Sequence, residues 1–193
     1  MLSDHFTQRL IIITAPSGSG KTTIVQHILK TMPQLAFSVS ACTRTPRKNE
    51  IHGVNYYFIN LEEFTHKIAA HEFAEFEMVY EGKYYGTLKS ELNRIWNLQQ
   101  TPLVDIDVQG ALRLMRHYQL NALSIFIQAP SLEILTERLK NRGSETEESL
   151  KERVDKATEE ITFAHRFNHI VINDKLEQAC KEVETLIQQF LNS

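Results

Sequence analysis

The chain has 193 residues, of which 42% are hydrophobic and 23% are charged, and its formal charge at pH 7 is -3. This length supports one α/β domain with a well-buried core, and the composition is ordinary for a globular protein. The slight negative charge argues against duplex nucleic acid as a partner, because such a partner requires a basic surface. The two cysteines lie far apart, and we see neither a leader peptide nor a membrane-length apolar run. We therefore expect a cytoplasmic protein without a membrane partner.

The strongest local signal lies between Leu10 and Thr23, in the segment LIIITAPSGSGKTT. Its first four residues predict a strand buried on both faces, and the serines and glycines after them predict a tight loop that opens into a helix. Such a loop turns backbone N–H groups toward one concavity, where a polyphosphate can bind. The spacing matches G-x-x-x-x-G-K-[ST] with Ala15 at the first glycine position. Lys21 would reach the β- and γ-phosphates, and Thr22 would be a ligand of Mg²⁺.

A polar segment with two arginines follows the next predicted strand. The first helix is expected to end near Met32, and a short strand is predicted at 35–40. The segment CTRTPRKNEIHG then carries Arg44 and Arg47. By composition alone this is a solvated loop. In an enzyme that handles phosphate, two arginines near the end of a strand would suit the bidentate capture of a second phosphate.

Hairpin signals and aromatic residues between about residues 37 and 96 predict a small mixed subdomain inserted beside the main sheet. Its predicted elements are a strand at 54–59, a helix at 61–70 and a hairpin at 72–85 that turns at Glu81 and Gly82. Glu75 and Glu77 would share one face of this hairpin, where their carboxylates need solvent or a partner.

The second half of the chain predicts strands at 102–106, 122–127 and 169–172, separated by helices. The first of these strands closes on the acidic pair Asp105 and Asp107. An aspartate there is typical of the second half of a P-loop site, where it organises Mg²⁺, and it is equally typical of a helix cap. Strands that alternate with helices imply a parallel sheet covered on both faces.

Three arginines flank a polar break at 143–148, namely Arg138, Arg142 and Arg153. They would suit a mobile lid that closes over phosphates. A salt-bridged helical hairpin with the neighbouring glutamates explains the same pattern, and the charge pattern leaves both interpretations open.

Several segments in order resemble those of bacterial guanylate kinases over essentially the whole chain: APSGSGKTT, SVSACTRTPRKNEIHGVNYYF, FAEFEMVYEGKYYGT, DIDVQGA, and RLKNRGSETEESLKERV followed by VIND. The resemblance implies a P-loop NTPase-type α/β fold, in which helices flank a parallel sheet that carries a mixed nucleoside-monophosphate-binding insertion and a short helical lid. We expect one domain with a core at about 1–36, 97–137 and 165–193, a GMP-binding insertion at about 37–96 and a lid at about 138–164. The implied reaction transfers the γ-phosphoryl group of ATP to GMP, and also to dGMP, with Mg²⁺ as cofactor.

The resemblance also implies the residues of each site. The ATP site would contain Ala15, Pro16, Ser17, Gly18, Ser19, Gly20, Lys21, Thr22, Thr23 and, beside the adenine, Asn173. The GMP phosphate would be held by Arg44, Arg47, Tyr56 and Tyr85, and the guanine would be surrounded by Ser40, Glu75, Thr87 and Asp107. The catalytic cations would be Lys21, Arg44, Arg138, Arg142 and Arg153.

Two assignments stay open at this stage. Asp105 is expected in the same site, where it would contact Mg²⁺ through water or contribute to the GMP side, and the sequence does not divide these roles between Asp105 and Asp107. The hairpin carries one residue more than the common family spacing, apparently Glu81, so the guanine carboxylate is either Glu75 or Glu77.

The hydrogen-bonding groups of guanine give a separate reason to expect two carboxylates in the acceptor site. Guanine offers N–H donors at N1 and N2, whereas adenine lacks both. A site built on Glu75 and Asp107 would therefore leave buried acceptors unpaired with adenine, and such a site can reject the analogue by about 10⁴. No general base is needed, because the attacking oxygen belongs to a phosphate whose second pKa is about 6.

Two other functions remain possible from the sequence. One is a guanylate-kinase-like protein-binding module without catalysis, although the intact Lys21 and Thr22 pair would be of no use to a scaffold. The other is a P-loop kinase for a different nucleoside monophosphate. The sequence allows either a monomer or a homodimer.

Overall fold

The computed structural model describes residues 8–141 and 147–193. In this part of the chain the strands are β1 (Leu10–Thr14), β2 (Leu35–Phe37), β3 (Ala41–Cys42), β4 (Tyr57–Phe58), β5 (Phe73–Tyr80), β6 (Lys83–Leu88), β7 (Thr101–Asp105), β8 (Ala122–Gln128) and β9 (His169–Ile172). The α-helices are α1 (Lys21–Thr31), α2 (Leu61–Ala69), α3 (Lys89–Asn97), α4 (Val108–Tyr118), α5 (Leu132–Lys140), α6 (Glu147–Ile161) and α7 (Leu176–Asn192). None of these helices combines the length and the apolar character needed to cross a membrane.

The core is a parallel sheet of five strands in the order β2-β7-β1-β8-β9. The central strand β1 is buried along its whole length, because its side chains alternate between the two faces of the sheet and both faces are covered by helices. Ile11 and Ile13 pack in the cluster that includes α1 and α7, whereas Leu10 and Ile12 pack in the cluster that includes α3 and α4. The predicted parallel sheet with helices on both faces is confirmed.

A second, mixed sheet has the order β4-β3-β6-β5, and its strands lie between residues 41 and 88. Strands β5 and β6 form the predicted hairpin, which turns at Glu81 and Gly82; Gly82 has a φ of 68°, as such a short connection requires. Phe64 of α2 stacks on Phe73 with ring centroids 4.4 Å apart and closes a small core beneath this sheet.

Two predicted strands are shorter than expected. The segment 35–40 is a strand only as far as Phe37, because the chain then leaves the core sheet and crosses to the second sheet at β3. The segment 54–59 forms only β4, because the N–H groups of Val54 and Asn55 both donate to the carbonyl oxygen of Ile51 and bend the chain into a turn. The alternating apolar pattern gave no sign of this local turn.

Helices α5 and α6 pack against each other beside the core through Leu135, Leu139 and Ala157, each fully buried. These residues place one face of α6 against α5. Arg153, Lys156 and Glu160 lie along an adjacent face of α6, and they line the same space as residues that follow β1 and β7. The fold thus brings the core sheet, the second sheet and α6 together at the edge of the core sheet where β1 and β7 end.

Candidate active site

A cleft of about 320 Å³ lies where the core sheet, the second sheet and α6 meet. The core contributes Ala15, Pro16, Ser17, Gly18, Lys21, Thr22, Asp105, Ile106 and Asp107. The second sheet and the segments that join it contribute Ser40, Tyr56, Glu75, Glu77, Val79, Tyr85 and Gly86, and α6 contributes Arg153, Lys156 and Glu160. Residues predicted for a donor site and for an acceptor site therefore line the same space.

The loop after β1 is shaped as an anion cradle. Gly18 and Gly20 have φ values of 91° and 87°, which residues with a Cβ rarely adopt, and they let the chain reverse tightly before α1. Gly20 precedes the first helical residue and has no side chain with which to cap the helix. The N–H groups of the first turn are thus available to a bound anion.

Lys21 is held at the end of β7. Its ammonium group forms an ion pair with Asp105 and donates to the carbonyl oxygen of Ile106 at 3.1 Å. Asp105 is brought there by the pairing of β1 with β7, which places it beside Ile13. Thr22 lines the same cleft, so a threonine and an aspartate lie together beside the phosphate loop.

A cluster of charged and aromatic side chains, the Arg44 cluster, stands on the other side of the cleft and consists of Arg44, Glu50, Tyr56 and Tyr85. Arg44 donates twice to Glu50, at 2.5 and 2.7 Å, and its guanidinium lies 4.9 Å from the centroid of the Tyr56 ring. The rings of Tyr56 and Tyr85 meet edge to face at 5.9 Å. Arg44 lowers the pKa of Glu50 to about 2, so this carboxylate stays charged.

The sequence did not indicate Glu50. Besides binding Arg44, Glu50 accepts the backbone N–H of Arg47 at 2.8 Å, so it organises the polar loop between the two arginines. The Arg47 side chain is exposed and does not line the cleft. An acidic residue three positions after an arginine was the available signal, but a solvated loop shows the same pattern.

Glu75 is the most enclosed carboxylate of the cleft, with only 5% of its surface exposed. One of its oxygens accepts the hydroxyl of Thr87 at 2.6 Å and the N–H of Thr87 at 3.0 Å. Burial raises the pKa of Glu75 to about 7, helped by the charge of Asp107 and opposed by the hydrogen bonds from Thr87 and the charge of Arg113. Its neighbour Glu77 also lines the cleft but forms an ion pair with Arg113.

Asp107 caps a helix and also lines the cleft. Its Oδ1 accepts the N–H of Gly110 at 2.7 Å and thereby caps α4, while the residue also lines the cleft. A Cβ built on Gly110 would lie 2.6 Å from Glu75 Oε2 and 2.8 Å from Asp107 Oδ1. The small residue at 110 therefore lets the start of α4 approach both carboxylates.

Helix α6 supplies two cleft residues that the sequence analysis missed, Lys156 and Glu160. Together with Arg153 they follow helical spacing, which was a usable signal once one of them was known to face the cleft. The pKa of Glu160 is raised to about 7 by burial, although the charge of Lys156, with its ammonium 4.0 Å away, opposes the shift.

Several of the residues predicted for the two sites do not line the cleft. Arg138 donates to the carbonyl oxygen of Asn173 at 3.0 Å, and the Asn173 side chain donates to the carbonyl oxygen of Ser19 at 2.8 Å. Thr23 is exposed on α1. The cleft lining does not include Ser19, Gly20, Thr23, Arg44, Arg47, Thr87, Arg138 or Asn173. Arg142 lies outside the described residues.

A phosphate loop at the edge of a five-stranded parallel sheet, facing a mixed sheet with a second set of polar side chains, defines the class of P-loop kinases. Comparison with known proteins refines this class. The family model described as guanylate kinase matches residues 7–190. The chain belongs to the guanylate kinase family.

Individual relatives agree with this assignment. The chain is 46% identical to the guanylate kinase of Porphyromonas gingivalis over 184 residues. This alignment covers 95% of this chain and 98% of that protein. It is 45% identical over 188 residues to the guanylate kinase of Bacteroides thetaiotaomicron, with coverages of 97% and 92%. The crystal structure of guanylate kinase from Anaplasma phagocytophilum superimposes with a TM-score of 0.77 at 27% identity, covering 94% of this chain and 85% of that one. The family resemblance and the P-loop fold expected from the sequence are confirmed.

Proposed function

We propose that this protein transfers the γ-phosphoryl group of ATP to GMP, and likewise to dGMP, to give ADP and GDP. The observation that carries the proposal is the buried Glu75, which shares one cleft with Asp107 and with a phosphate loop. A buried carboxylate acceptor suits a purine that carries N–H donors, and the loop suits a polyphosphate. The relatives named above support the same pair of substrates.

The donor side is the loop that ends at Gly20, together with the start of α1. Backbone N–H groups of this loop bind the ATP phosphates, and Lys21 stabilises negative charge on the β- and γ-phosphates. Arg153 in the cleft, with Arg138 and Arg142, adds positive charge near the transferring group. Removal of a single such interaction costs about 3 kcal/mol in comparable sites.

The residues beside the loop fit Mg²⁺, which prefers oxygen ligands and retains several waters. The Thr22 hydroxyl would hold the ion, and the Asp105 carboxylate would bind one of its waters; both residues line the cleft. When bound with ATP, Mg²⁺ neutralises phosphate charge and orients the group to be transferred.

The acceptor side is the Arg44 cluster together with the carboxylates. Arg44, Arg47, Tyr56 and Tyr85 bind the GMP phosphate, while Glu75 and Asp107 accept hydrogen bonds from the guanine. Ser40 and Thr87 complete this set, the latter by holding one oxygen of Glu75. Because both substrates are anions, the protein's main task is to align them and offset their repulsion.

In this proposal the mixed sheet is the GMP-binding insertion, and α6 with the segment before it is the lid. Closure of both over the nucleotides excludes water before transfer. Because one chain supplies all the residues that we assign to the two sites, either a monomer or a homodimer could carry out the reaction. We place the enzyme in the cytoplasm.

We expect Glu50→Gln to raise KM for GMP about tenfold with little change in kcat, because Arg44 loses its paired carboxylate and its fixed orientation. Steady-state kinetics with GMP varied at saturating ATP would measure this. Glu62→Gln, on an exposed position of α2, is the matched control and should leave KM unchanged. A fall in KM would show instead that Glu50 competes with the phosphate for Arg44.

The affinity for GMP should rise about tenfold between pH 6 and pH 8, because Glu75, with its pKa of about 7, must lose its proton to accept hydrogen bonds from guanine. Among the charged groups around Glu75, Asp107 raises its pKa and Arg113 lowers it. Calorimetry in buffers of different ionisation enthalpy should detect about half a proton released per GMP at pH 7. Glu75→Gln removes this contribution, whereas the GMP phosphate and Glu160, whose pKa is also about 7, are present in both proteins. Equal release by both proteins would therefore contradict the assignment.

A coupled assay that follows ADP formation with ATP and GMP tests the proposed function. We expect turnover with GMP and at most about 10⁻⁴ of that efficiency with AMP. Absence of turnover with any nucleoside monophosphate would favour a protein-binding module, and preference for AMP, CMP or UMP would identify a different kinase.

A further inference from the structure

The side chain of Asn173 lies against the phosphate loop. Asn173 directly follows β9, only 5% of its surface is exposed, and its Nδ2 donates to the carbonyl oxygen of Ser19 at 2.8 Å. A Cβ built on Gly20 would lie 2.3 Å from this same nitrogen. The amide group therefore occupies the space that a side chain at position 20 would need, at the junction of the loop and α1.

This hydrogen bond determines how one peptide group of the loop is oriented. A trans peptide is planar, and its C=O and N–H bonds point in opposite directions. Because Asn173 holds the carbonyl group of Ser19 on its own side, the N–H of Gly20 points to the opposite side of the loop. That N–H is one of the donors that an anion at the start of α1 would meet.

Asn173 is itself firmly held by its backbone. Its N–H donates to the carbonyl oxygen of Gln128 at 2.7 Å, which ties it to the end of β8. Its carbonyl oxygen accepts from Arg138 at 3.0 Å, which ties it to α5. The amide that contacts the loop thus extends from a fixed point on the core sheet and is linked to an arginine of the proposed lid.

We propose that Asn173 is a positioning residue that fixes the Ser19–Gly20 peptide of the phosphate loop and so presents the N–H of Gly20 to the donor phosphates, whatever base the donor carries. This inference rests on the proposed function, because it concerns the ATP site. It differs from a contact with adenine, which would act on the base alone.

The test compares donors that differ in their base. Dissociation constants of ATP, inosine triphosphate and inorganic tripolyphosphate, each with Mg²⁺, are measured by calorimetry for the unmodified protein and for Asn173→Ala. Positioning of the loop predicts that all three weaken by a similar factor, about tenfold, while KM for GMP stays the same. A loss confined to ATP, or no loss at all, would overturn the proposal.

Two further variants control for packing and stability. Asn173→Asp keeps the size of the side chain but directs a carboxylate oxygen at the Ser19 carbonyl group, and it should weaken all three donors at least as much. Asn168→Ala removes a comparable tie at the other end of β9, where Asn168 accepts from the Ser124 N–H and hydroxyl at 2.9 and 2.8 Å. It should lower the melting temperature without changing donor affinity. If it weakens the donors equally, the effect at position 173 is general destabilisation and the inference fails.

These readouts separate the inference from the proposed function. Binding of tripolyphosphate and ATP is measured without an acceptor, so it reports on the loop even if GMP is not phosphorylated. Failure of the coupled assay with intact donor binding would refute the GMP kinase activity and leave the role of Asn173 standing.

Discussion

Replacement of Lys21 with alanine is expected to lower kcat for the transfer from ATP to GMP by a factor of about 10³, which corresponds to about 4 kcal/mol of transition-state stabilisation. The ammonium group lies at the loop between Asp105 and the carbonyl oxygen of Ile106, where the donor phosphates would lie. In contrast, the affinity for GMP should change by less than about threefold, because the acceptor site is built from different residues. Single-turnover kinetics and GMP titration measure the two quantities separately.

The matched control is Lys30→Ala, which removes an exposed lysine from the last turn of the same helix. Both parameters should be unchanged in that variant. If Lys21→Ala abolished GMP binding as well, the donor and acceptor sites would not be separate, and the two-site description would be wrong.

Glu75→Gln is expected to lower kcat/KM for GMP by about 100-fold, while KM for ATP stays nearly constant. The amide cannot provide the charged acceptor that the guanine N–H donors require, and a hydrogen bond to a charged group contributes about 3 kcal/mol at most. The discrimination against AMP should fall by the same factor, because AMP gains nothing from the carboxylate. Measurement of kcat/KM for both acceptors with each enzyme tests this.

Glu77→Gln provides a stringent comparison, because the residue lies on the same strand and lines the same cleft. Its carboxylate is already paired with Arg113, so we expect less than about a fivefold effect on kcat/KM for GMP. The opposite ranking of the two variants would identify Glu77 as the guanine carboxylate and would correct the assignment based on burial.

The sequence predicted the parts of the site that depend on local pattern. The phosphate loop requires a strand, glycines and a helix start in direct succession, and the chain from Leu10 to Thr23 forms them as expected. The hairpin was equally accessible, because the partly alternating pattern of 72–85 predicts its two strands and the pair Glu81 and Gly82 predicts its turn. Such features depend on residues that are close together in the chain.

Features that depend on tertiary packing were less predictable. Glu50 could not be distinguished from a solvated loop residue until its hydrogen bonds with Arg44 were visible. Lys156 and Glu160 reach the cleft because α6 packs on α5, a contact between separate helices. The contact of Asn173 with Ser19 joins residues at opposite ends of the chain, so no local pattern indicated it.

In this proposal a single cleft binds two nucleotides, with the donor phosphates on main-chain N–H groups and the acceptor purine on buried carboxylates. A crystal structure of the protein with GMP and a non-hydrolysable ATP analogue tests it most directly. We predict that the guanine will contact Glu75 and Asp107, with its phosphate on Arg44 and Arg47 and the analogue's phosphates on the loop before Lys21. A guanine bound away from Glu75, or a GMP phosphate away from both arginines, would show that the acceptor site is not where we propose it.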